Sequence, residues 1–310
     1  MTKVASARDR ILGKLRRRIK GTVLPSESLS KHTTYRIGGD AEILASAADS
    51  DDAAAVYRFA RREGIPLTVL GAGSNVIAPD DGIEGIVLKL ENPHAAIRFS
   101  SDGTVHADAG VPVLVLARTA AKKGLGGLVP IAGVPGTVGG AVLMNARVDK
   151  EDTASLLVSV EVLTSSGKRR TFRRNEIPFG YRTSIFKGSD WMILRAVFDL
   201  HPGDPIHLLE EIEHEWNTWR ANFPLEPPNA GSVFKRPPGD YAGRLIEEAG
   251  CKGLRVGGAV VSDRHANFIL NTGDATAADI YELISEVRRR TYEKTGVYLE
   301  LEQIPLDSSD

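Results

Sequence analysis

A glycine-rich segment near the middle of the chain constrains the fold more than any other feature. From Ile131 to Ala146 the sequence reads IAGVPGTVGGAVLMNA, with four glycines between residues 133 and 140 and a proline at 135 that restricts the backbone. Glycine has no Cβ atom, so another backbone or a ligand can approach such a segment very closely. A simple hairpin does not need so many glycines. The spacing therefore indicates a loop whose backbone is approached closely by another group.

A shorter glycine turn lies about sixty residues earlier, directly after an apolar run at 67–70 that is typical of a strand. It runs from Gly71 to Asn75, and such a turn can point successive backbone N–H groups at a phosphate. It is not a Rossmann fingerprint, because Val76 stands where the third glycine is required. By itself the turn is equally consistent with an ordinary tight turn. Two glycine loops without a Rossmann helix indicate an elongated cofactor whose diphosphate is held by main-chain amides.

The composition excludes several function classes. The 310 residues include 39 Lys and Arg against 40 Asp and Glu, which gives a net charge of -1 and no global basic field for nucleic acid or an anionic membrane. A single cysteine, Cys251, excludes an intramolecular disulfide and a cysteine-clustered metal site, and packing is its expected role. No apolar run approaches the ~18 residues of a membrane span. We expect a cytoplasmic protein with no metal site, no nucleic-acid partner and no membrane insertion.

Three regions follow one another along the chain. Residues 1–30 are rich in Lys and Arg and have apolar residues at helical spacing, namely Ile11, Leu15 and Ile19. This pattern predicts an amphipathic basic helix in a solvated arm that packs lightly on the body. Residues 31–200 and 205–310 have mixed helix and strand patterns, and the sequence HPGDP separates them. We therefore expect an N-terminal basic arm followed by two domains with these boundaries.

Hydrophobic periodicity and turn signals predict the main elements of both domains. The predicted helices are 51–64, 111–121, 207–221, 240–249 and 277–294, and the predicted strands are 67–70, 86–90, 156–163, 192–200 and 297–304. The last helix has the clearest boundaries, because Thr276 to Asp279 can form a capping box and Gly296 follows its end.

Six motifs resemble those of one known family. They are HTTYRIGG at 32–39, LGAGSN at 70–75, GVPGTVGG at 133–140, GYRTSIF at 180–186, NAGSVFK at 229–235 and GGAVVSDRHANF at 257–268. The second and third are similar to FAD-binding domains of the vanillyl-alcohol-oxidase/PCMH type. The whole set, over about residues 25–306, resembles the UDP-N-acetylenolpyruvoylglucosamine reductase family. This resemblance implies an α+β fold, with a PCMH-type FAD-binding domain at 31–200 and a smaller α+β substrate-binding domain at 205–310.

The resemblance also implies an activity. In this family NADPH reduces a non-covalently bound FAD, and the enolpyruvyl ether of UDP-N-acetylglucosamine is then reduced to UDP-N-acetylmuramate, a peptidoglycan precursor. Hydride reaches the terminal carbon of the enol ether, negative charge spreads onto the carboxylate, and a proton must reach the alpha carbon. The protein has to supply a cation near the carboxylate, a proton donor and a flavin clamp. The short spacing between Phe186 and Gly203 resembles the family's second type, which lacks an inserted tyrosine-bearing loop.

The resemblance implies three catalytic residues. Ser232 matches the family's proton donor, and Arg182 matches an arginine that can hold a carboxylate through two parallel hydrogen bonds. Glu302 matches the terminal glutamate and is preferred to Glu300 because it lies six residues after Gly296. In a strand the two glutamates would share one face. Without the resemblance, these residues are typical of a turn serine, a surface arginine and a solvent-facing carboxylate.

The remaining matches concern binding. The expected FAD-binding residues are Tyr35, Arg36, Gly71, Ala72, Gly73, Ser74, Asn75, Gly133, Pro135, Gly136, Thr137, Gly139, Gly140 and Asn145. The expected substrate-binding residues are Tyr181, Asn229, Lys235 and Arg244. For Arg244 an ordinary surface role is an open alternative. His265 is expected to be structural or close to the flavin, since no second histidine or acidic residue lies at metal-ligand spacing.

One segment departs from the family pattern. After Asn145 and Ala146 the family continues with a glycine-rich stretch, whereas this chain has RVDKED at 147–152. The bulky charged residues indicate either that the loop has moved outward or that the substrate or flavin geometry differs. Two alternatives follow. One is an FAD oxidase of the same superfamily that uses oxygen, and the other is a paralogue that binds FAD or a nucleotide sugar with a changed substrate or a regulatory role.

Overall fold

The structure, a computed structural model, describes residues 7–92, 94–148, 151–224 and 226–306. Its helices are α1 (Ala7–Arg16), α2 (Ser50–Glu63), α3 (Val113–Ala121), α4 (Val138–Met144), α5 (Thr153–Leu156), α6 (Pro205–Asn222), α7 (Ala242–Glu248) and α8 (Ala277–Thr295). Across these described ranges, every helix is too short or too polar to span a bilayer.

The strands alternate with these helices along the chain. They are β1 (Thr22–Ser28), β2 (Asp40–Ser46), β3 (Leu67–Leu70), β4 (Val76–Ile77), β5 (Ile83–Lys89), β6 (Ile97–Phe99), β7 (Thr104–Asp108), β8 (Leu125–Gly126), β9 (Arg147–Val148), β10 (Glu151–Asp152), β11 (Leu157–Leu163), β12 (Arg169–Arg173), β13 (Phe179–Gly180), β14 (Thr183–Ser184), β15 (Met192–Asp199), β16 (His201–Pro202), β17 (Arg255–Val256), β18 (Ala259–Val261), β19 (Ile269–Asn271) and β20 (Ile304–Pro305). The predicted helices and strands agree with observed elements to within a few residues at each end, apart from the last strand.

By packing, the chain divides into two compact units. The first unit comprises residues 1–27, 42–72 and 84–217, and the second unit comprises residues 28–41, 73–83 and 218–310. The second unit thus includes two segments that are distant in sequence from its main part. The domains predicted at 31–200 and 205–310 follow chain order, and they stay a prediction. The outer ends of the predicted arm and of the predicted C-terminal domain, 1–6 and 307–310, lie outside the described residues.

A four-stranded sheet and two helices form one core of the first unit. The sheet has the order β1-β2-β5-β3, in which β3 and β5 are parallel. Helix α2 begins after Asp49, whose side chain accepts the N–H groups of Asp51 and Asp52, and it ends at Gly64 in the left-handed conformation. These caps and the apolar periodicity explain why the sequence predicts this helix correctly.

Helix α1 packs its apolar face onto the same core. Leu12, Leu15 and Ile19 are buried there, and Leu15 is completely inaccessible. Arg16 and Arg17 remain exposed on the other side. The predicted amphipathic helix is therefore confirmed, but it packs more closely than an arm that lies lightly on the body.

A five-stranded antiparallel sheet forms the second core of the first unit. Its order is β12-β11-β15-β7-β6. Helices α3 and α4 bury side chains such as Leu116 and Val142 in the same apolar cluster as Val160 and Phe198 of the sheet. The glycine-rich helix α4 is thereby held against this sheet.

The second unit has a core formed by α7, α8 and the three-stranded antiparallel sheet β17-β18-β19. Helix α8 begins with the predicted capping box between Thr276 and Asp279 and ends at Gly296, which has φ 71°. Asp80 also accepts the N–H groups of Ala277 and Ala278, at 2.7 and 3.0 Å. This carboxylate lies at the positive end of the helix dipole, where negative charge is stabilising.

The strand predicted at 297–304 is wrong for most of its length. Among residues 297–306, only Ile304 and Pro305 form a strand, which pairs in parallel with β4. Upstream, Leu301 makes one isolated bridge with Phe234. The segment is extended, as its alternating pattern suggests, but it pairs first with the loop at Phe234 and then with the short strand β4, so no continuous ladder forms.

We expect the substitution Leu15→Ala to lower the free energy of unfolding by about 2–5 kcal/mol, because it replaces a completely buried side chain by a cavity. Chemical denaturation followed by circular dichroism measures this change. Arg17→Ala, on the exposed side of the same segment, is the matched control and should change the free energy by less than about 0.5 kcal/mol. Equal effects of the two substitutions would contradict a role for α1 in the core.

Candidate functional site

The longer glycine-rich segment forms a helix in its second half, where the sequence led us to expect a loop. Thr137 caps helix α4 by accepting the N–H of Gly140, and Asn145 ends the helix with φ 43°. A Cβ atom on Gly139 would lie 2.9 Å from the Cβ atom of Ala109. The N–H of Gly139 also donates to the carbonyl of Ala109 at 2.8 Å. Packing therefore requires this glycine, and its amide is already engaged within the protein.

The shorter glycine turn, from Gly71 to Asn75, follows the carboxyl end of β3. Within the described parts of the chain, no backbone or side-chain acceptor takes the N–H groups of residues 71–75. Successive unengaged N–H groups in a turn form an anion-binding concavity. A Cβ atom on Gly71 would lie 2.8 Å from Oγ1 of Thr137, so the two glycine segments are neighbours. The shorter turn fits a diphosphate better than the longer segment does.

The motif at 32–39 contributes two residues that differ in accessibility. Tyr35 is completely buried, and its hydroxyl donates to the side chain of Gln303 at 3.1 Å. Burial raises the pKa of Tyr35 well above its ordinary value. Arg36 has φ 57°, is exposed, and lies 3.4 Å from the carboxylate of Glu226 at a cavity of about 400 Å³. Of these two expected FAD-binding residues, only Arg36 has a side chain that a ligand can reach directly.

Arg182 lies in the two-residue turn of the hairpin formed by β13 and β14 in the first unit. Its φ is 56°, a left-handed conformation that costs a residue other than glycine about 1 kcal/mol. Its guanidinium lies 5.7 Å from the ring centre of Tyr181, which is 44% exposed. A positive φ is common in such short turns, so the conformation of Arg182 follows from its place in the hairpin.

Asn145 connects helix α4 to this hairpin. Its side-chain nitrogen donates to the carbonyl of Gly180 at 3.2 Å and to the carboxylate of Asp152 at 2.9 Å. Its side-chain oxygen accepts the N–H of Ala154 at 3.0 Å. The buried amide of this expected FAD-binding residue is thus fully used within the protein.

The atypical segment at 147–152 forms a small hairpin in which β9 and β10 are antiparallel, while residues 149 and 150 lie outside the described ranges. Thr153 fixes the base of the hairpin, because its N–H and its hydroxyl both donate to the carbonyl of Ala146, at 2.8 and 2.7 Å. The last residue of this segment, Asp152, accepts a hydrogen bond from the side chain of Asn145 and so supports it.

Ser232 lies in a loop of the second unit that a neighbouring amide holds in shape. Asn229 accepts the N–H of Gly231 at 3.1 Å and donates to two carbonyls upstream in the same loop. Ser232 is half-buried, and no group in the described part of the chain hydrogen-bonds its hydroxyl. The loop fixes the backbone of Ser232 and keeps the hydroxyl available. The side chain of Asn229, an expected substrate contact, is engaged in this task.

The terminal segment brings Glu302 beside the same loop. The N–H of Glu302 donates at 2.8 Å to the carbonyl of the residue after Ser232, and Glu302 is only 8% exposed. Glu300 is exposed and forms an ion pair with Lys235 at 3.0 Å. The two glutamates, which a regular strand would place on one face, therefore differ in exposure and in partners. The second unit contains both Ser232 and Glu302, and the first unit contains Arg182.

Arg244 is surrounded by acidic side chains at α7. Its guanidinium donates to both carboxylate oxygens of Asp240 and to the carboxylate of Glu248. The hydrogen bonds from Arg244 lower the pKa of Asp240 to about 2. A substrate anion would compete with these two carboxylates for the arginine.

Sequence reasoning missed two buried amides that hold the Ser232 loop. Asn267 pairs with both main-chain groups of Phe234, accepting the N–H at 3.0 Å and donating to the carbonyl at 2.9 Å. Gln303 donates to the two carbonyls that precede Ser232, both at 3.2 Å. The motif at 257–268 contains Asn267 and could have drawn attention to it. Gln303 carries no comparable signal, because a single amide in an alternating segment is typical of a surface position.

Two family models match separate parts of the chain. Residues 41–173 match the FAD binding domain, and residues 223–304 match the C-terminal domain of UDP-N-acetylenolpyruvoylglucosamine reductase. The glycine turn at 71–75, whose unengaged amides fit a diphosphate, lies inside the FAD-binding match. The residues present therefore fit FAD.

Known proteins are similar to nearly the whole chain. The UDP-N-acetylenolpyruvoylglucosamine reductases of Moorella thermoacetica and Carboxydothermus hydrogenoformans are 44% and 40% identical to it, over 94% and 93% of this chain and 96% and 95% of their own lengths. A crystal structure of UDP-N-acetylenolpyruvylglucosamine reductase from Thermus caldophilus is 33% identical, with a TM-score of 0.76, over 93% of this chain and 100% of that chain. The predicted α+β fold with a PCMH-type FAD-binding domain is confirmed.

We expect protonation of His265 to destabilise the protein. Its ring lies against Phe223 and Phe268, and its Nδ1 atom accepts the N–H of Asn267 at 3.2 Å. Burial lowers the pKa of His265 below its ordinary value, so the unfolded chain binds this proton more readily than the folded chain does. The stability contributed by neutral His265 is therefore present above about pH 6.5 and is lost as the pH falls below that value.

Thermal unfolding of the wild type and of His265→Gln between about pH 5 and 8 measures this effect. The variant cannot titrate at this position, so its melting temperature should fall less steeply with decreasing pH than that of the wild type. Parallel pH profiles for the two proteins would contradict the prediction.

Proposed function

Because the chain belongs to the UDP-N-acetylenolpyruvoylglucosamine reductase family, we propose that it reduces the enolpyruvyl ether of UDP-N-acetylglucosamine to UDP-N-acetylmuramate, a peptidoglycan precursor. NADPH is the proposed co-substrate. For each substrate molecule, one NADPH and one proton are consumed, one C=C bond is reduced and one NADP⁺ is released. The observation that supports this function most directly is the hydrogen bond that joins the backbone of Glu302 to the loop of Ser232. These two matched residues are distant in sequence and lie close together in the second unit.

When bound non-covalently in this site, FAD would supply the hydride-transfer chemistry between NADPH and the terminal carbon of the enol ether. We assign its diphosphate to the N–H groups of residues 71–75, which no described acceptor takes. Arg36 is a further candidate for holding an anionic group of the cofactor, because its side chain is exposed at a cavity. Two residues of the first unit support the FAD site indirectly. Thr137 caps helix α4, and Gly139 allows this helix to pack closely against Ala109.

Ser232 is the proposed proton donor to the alpha carbon. A serine hydroxyl is a weak acid, but the carbanion-like intermediate is strongly basic, so the position of the donor matters more than its pKa. The loop around Ser232 supports this role, because Asn229 and Asn267 hold its backbone before any substrate binds.

Arg182 is the proposed partner of the substrate carboxylate. A planar guanidinium can donate two parallel hydrogen bonds to it and stabilise the charge that develops there. Glu302 is proposed to orient the substrate or to polarise the enolate system, and its burial strengthens its electrostatic effect. Further proposed substrate contacts are Tyr181, Asn229, Lys235 and Arg244.

The hairpin at 147–152 favours one competing function, a paralogue with a changed substrate or a regulatory role, since charged residues replace the family's glycine-rich stretch there. An FAD oxidase would transfer electrons to oxygen instead. The reductase, the oxidase and a non-catalytic paralogue differ in how their flavin is reduced and reoxidised. The domain boundaries, the assignment to the second type and the cytoplasmic location stay predictions.

We expect Ser232→Ala to leave the reduction of FAD by NADPH nearly unchanged. Reoxidation by the enolpyruvyl ether should slow by about 10²–10⁴-fold, the usual cost of removing a general acid. Anaerobic stopped-flow absorbance of the flavin measures the two half-reactions separately. Ser101→Ala, at an exposed position, is the matched control and should behave as the wild type.

The same measurement on the wild type tests the function itself. Rapid recovery of the oxidised flavin band on addition of the enolpyruvyl ether supports the reductase. A flavin that NADPH reduces and that stays reduced in the presence of the enolpyruvyl ether supports a paralogue with a changed substrate. Rapid turnover with oxygen as the electron acceptor supports the oxidase, and a flavin that NADPH does not reduce supports the non-catalytic paralogue.

We expect Arg182→Gly to separate backbone strain from side-chain function. Glycine adopts φ 56° without strain, so the folded protein should be as stable as the wild type or more stable by up to about 1 kcal/mol. Substrate-driven reoxidation should slow by about 10–100-fold, because hydrogen bonds to a charged group are lost. Ser26→Gly relieves φ 48° at an exposed position and should keep the full rate. An Arg182→Gly variant with the wild-type rate would show that this side chain has no part in the reaction.

A further inference from the structure

The side chain of Gln303 connects three parts of the second unit. Its Nε2 atom donates to the carbonyls of Ala230 and Gly231, both at 3.2 Å, and its Oε1 atom accepts the hydroxyl of Tyr35 at 3.1 Å. Gln303 is 3% exposed, so these bonds are shielded from water. A glutamine amide has two N–H donors and one oxygen. Both donors and the oxygen are engaged here.

The main chain on either side of Gln303 is also fixed. The N–H of Glu302 donates to the Ser232 loop at 2.8 Å, and the N–H of Ile304 donates to the carbonyl of Asn75 at 2.9 Å. The Gln303 side chain is thus anchored between the loop that contains Ser232 and the end of the glycine turn. Its position is set by backbone bonds that do not involve the side chain itself.

We propose that Gln303 is a positioning residue for Ser232, an inference that rests on the proposed function in which Ser232 donates the proton. Gln303 holds the two peptide groups that directly precede Ser232. Gly231 has φ 73°, a conformation that reverses the chain immediately before the serine. Fixing its carbonyl therefore fixes the direction in which the serine side chain leaves the backbone.

The contact with Tyr35 extends this function to the HTTYRIGG motif. Tyr35 is completely buried and has its hydroxyl as its only side-chain polar atom, which needs a partner when it is shielded from water. The side-chain amide of Gln303 accepts the hydrogen bond from Tyr35 and also donates the two hydrogen bonds to the Ser232 loop. We therefore infer that the side chain of Gln303 links the Ser232 loop to the HTTYRIGG motif.

Two substitutions at Gln303 test the inference. Gln303→Leu removes all three side-chain hydrogen bonds and keeps a side chain of similar size. Since a misplacement of about 1 Å can reduce a rate by about 10²-fold, we expect substrate-driven reoxidation to slow by about 10–100-fold. NADPH reduction of FAD and the dissociation constant of the substrate should change little, because Ser232 acts only in the proton-transfer step.

Gln303→Glu tests the positioning role through the pH dependence of the reoxidation rate. A purely structural role of Gln303 would not produce this pH dependence. An ionised carboxylate can accept the Tyr35 hydroxyl but cannot donate to the loop, whereas a protonated carboxyl group can do both. We expect the reoxidation rate of this variant to approach that of the wild type at low pH and to fall as the pH rises through the pKa of the new carboxyl group. The wild type should lack this additional pH dependence.

Leu299→Ala is the matched stability control. Leu299 is completely buried in the same terminal segment but makes no side-chain bond to the Ser232 loop. At a comparable loss of melting temperature, this variant should keep the wild-type rate of reoxidation. Equal slowing in Leu299→Ala and Gln303→Leu, or a wild-type rate in Gln303→Leu, would overturn the inference while leaving the proposed function intact. If the enolpyruvyl ether does not reoxidise the wild-type flavin, the proposed function fails first and the inference fails with it.

Discussion

The backbone pairing of the segment at 299–306 is the constraint on which the candidate site of the second unit depends. Its main-chain bonds go first to the Ser232 loop and then to Asn75, the last residue of the glycine turn, and to Ile77 in β4. Because the segment is hydrogen-bonded to both of these partners in succession, its register is fixed. Glu302 is buried beside the loop, and its own N–H is bonded to the loop.

In the second unit, side-chain amides hydrogen-bond backbone N–H and C=O groups that a neighbouring strand would bond in a sheet. A buried loop outside a sheet still needs partners for its N–H and C=O groups. Asn267 provides them for Phe234, and Gln303 provides them for the residues before Ser232. Polar groups that are fixed before substrate arrives do not need to reorganise during the reaction. The same bonds therefore satisfy the loop and orient the proposed proton donor.

Local signals gave the correct part of the fold prediction. Helices α2 and α8 lie where apolar periodicity and end caps indicated, because both signals act within a few turns of one helix. The strand at 297–304 was wrong because an alternating pattern does not reveal whether a continuous partner exists. The glycine-rich segment was expected to be a loop, and it contains a helix in which Gly139 packs against Ala109, a residue distant in sequence.

The sequence by itself determined the family, the cofactor class and the residue types proposed for the chemistry, since motifs such as GYRTSIF and NAGSVFK contain them within a few positions. Only the tertiary structure decided that Glu302 is buried and Glu300 is exposed, that no acceptor in the described residues takes the amides of residues 71–75, and that Gln303 holds the loop of Ser232. The physical reason is that burial and hydrogen-bond partners depend on residues far away along the chain. Motifs, caps and periodicity depend only on neighbours in sequence.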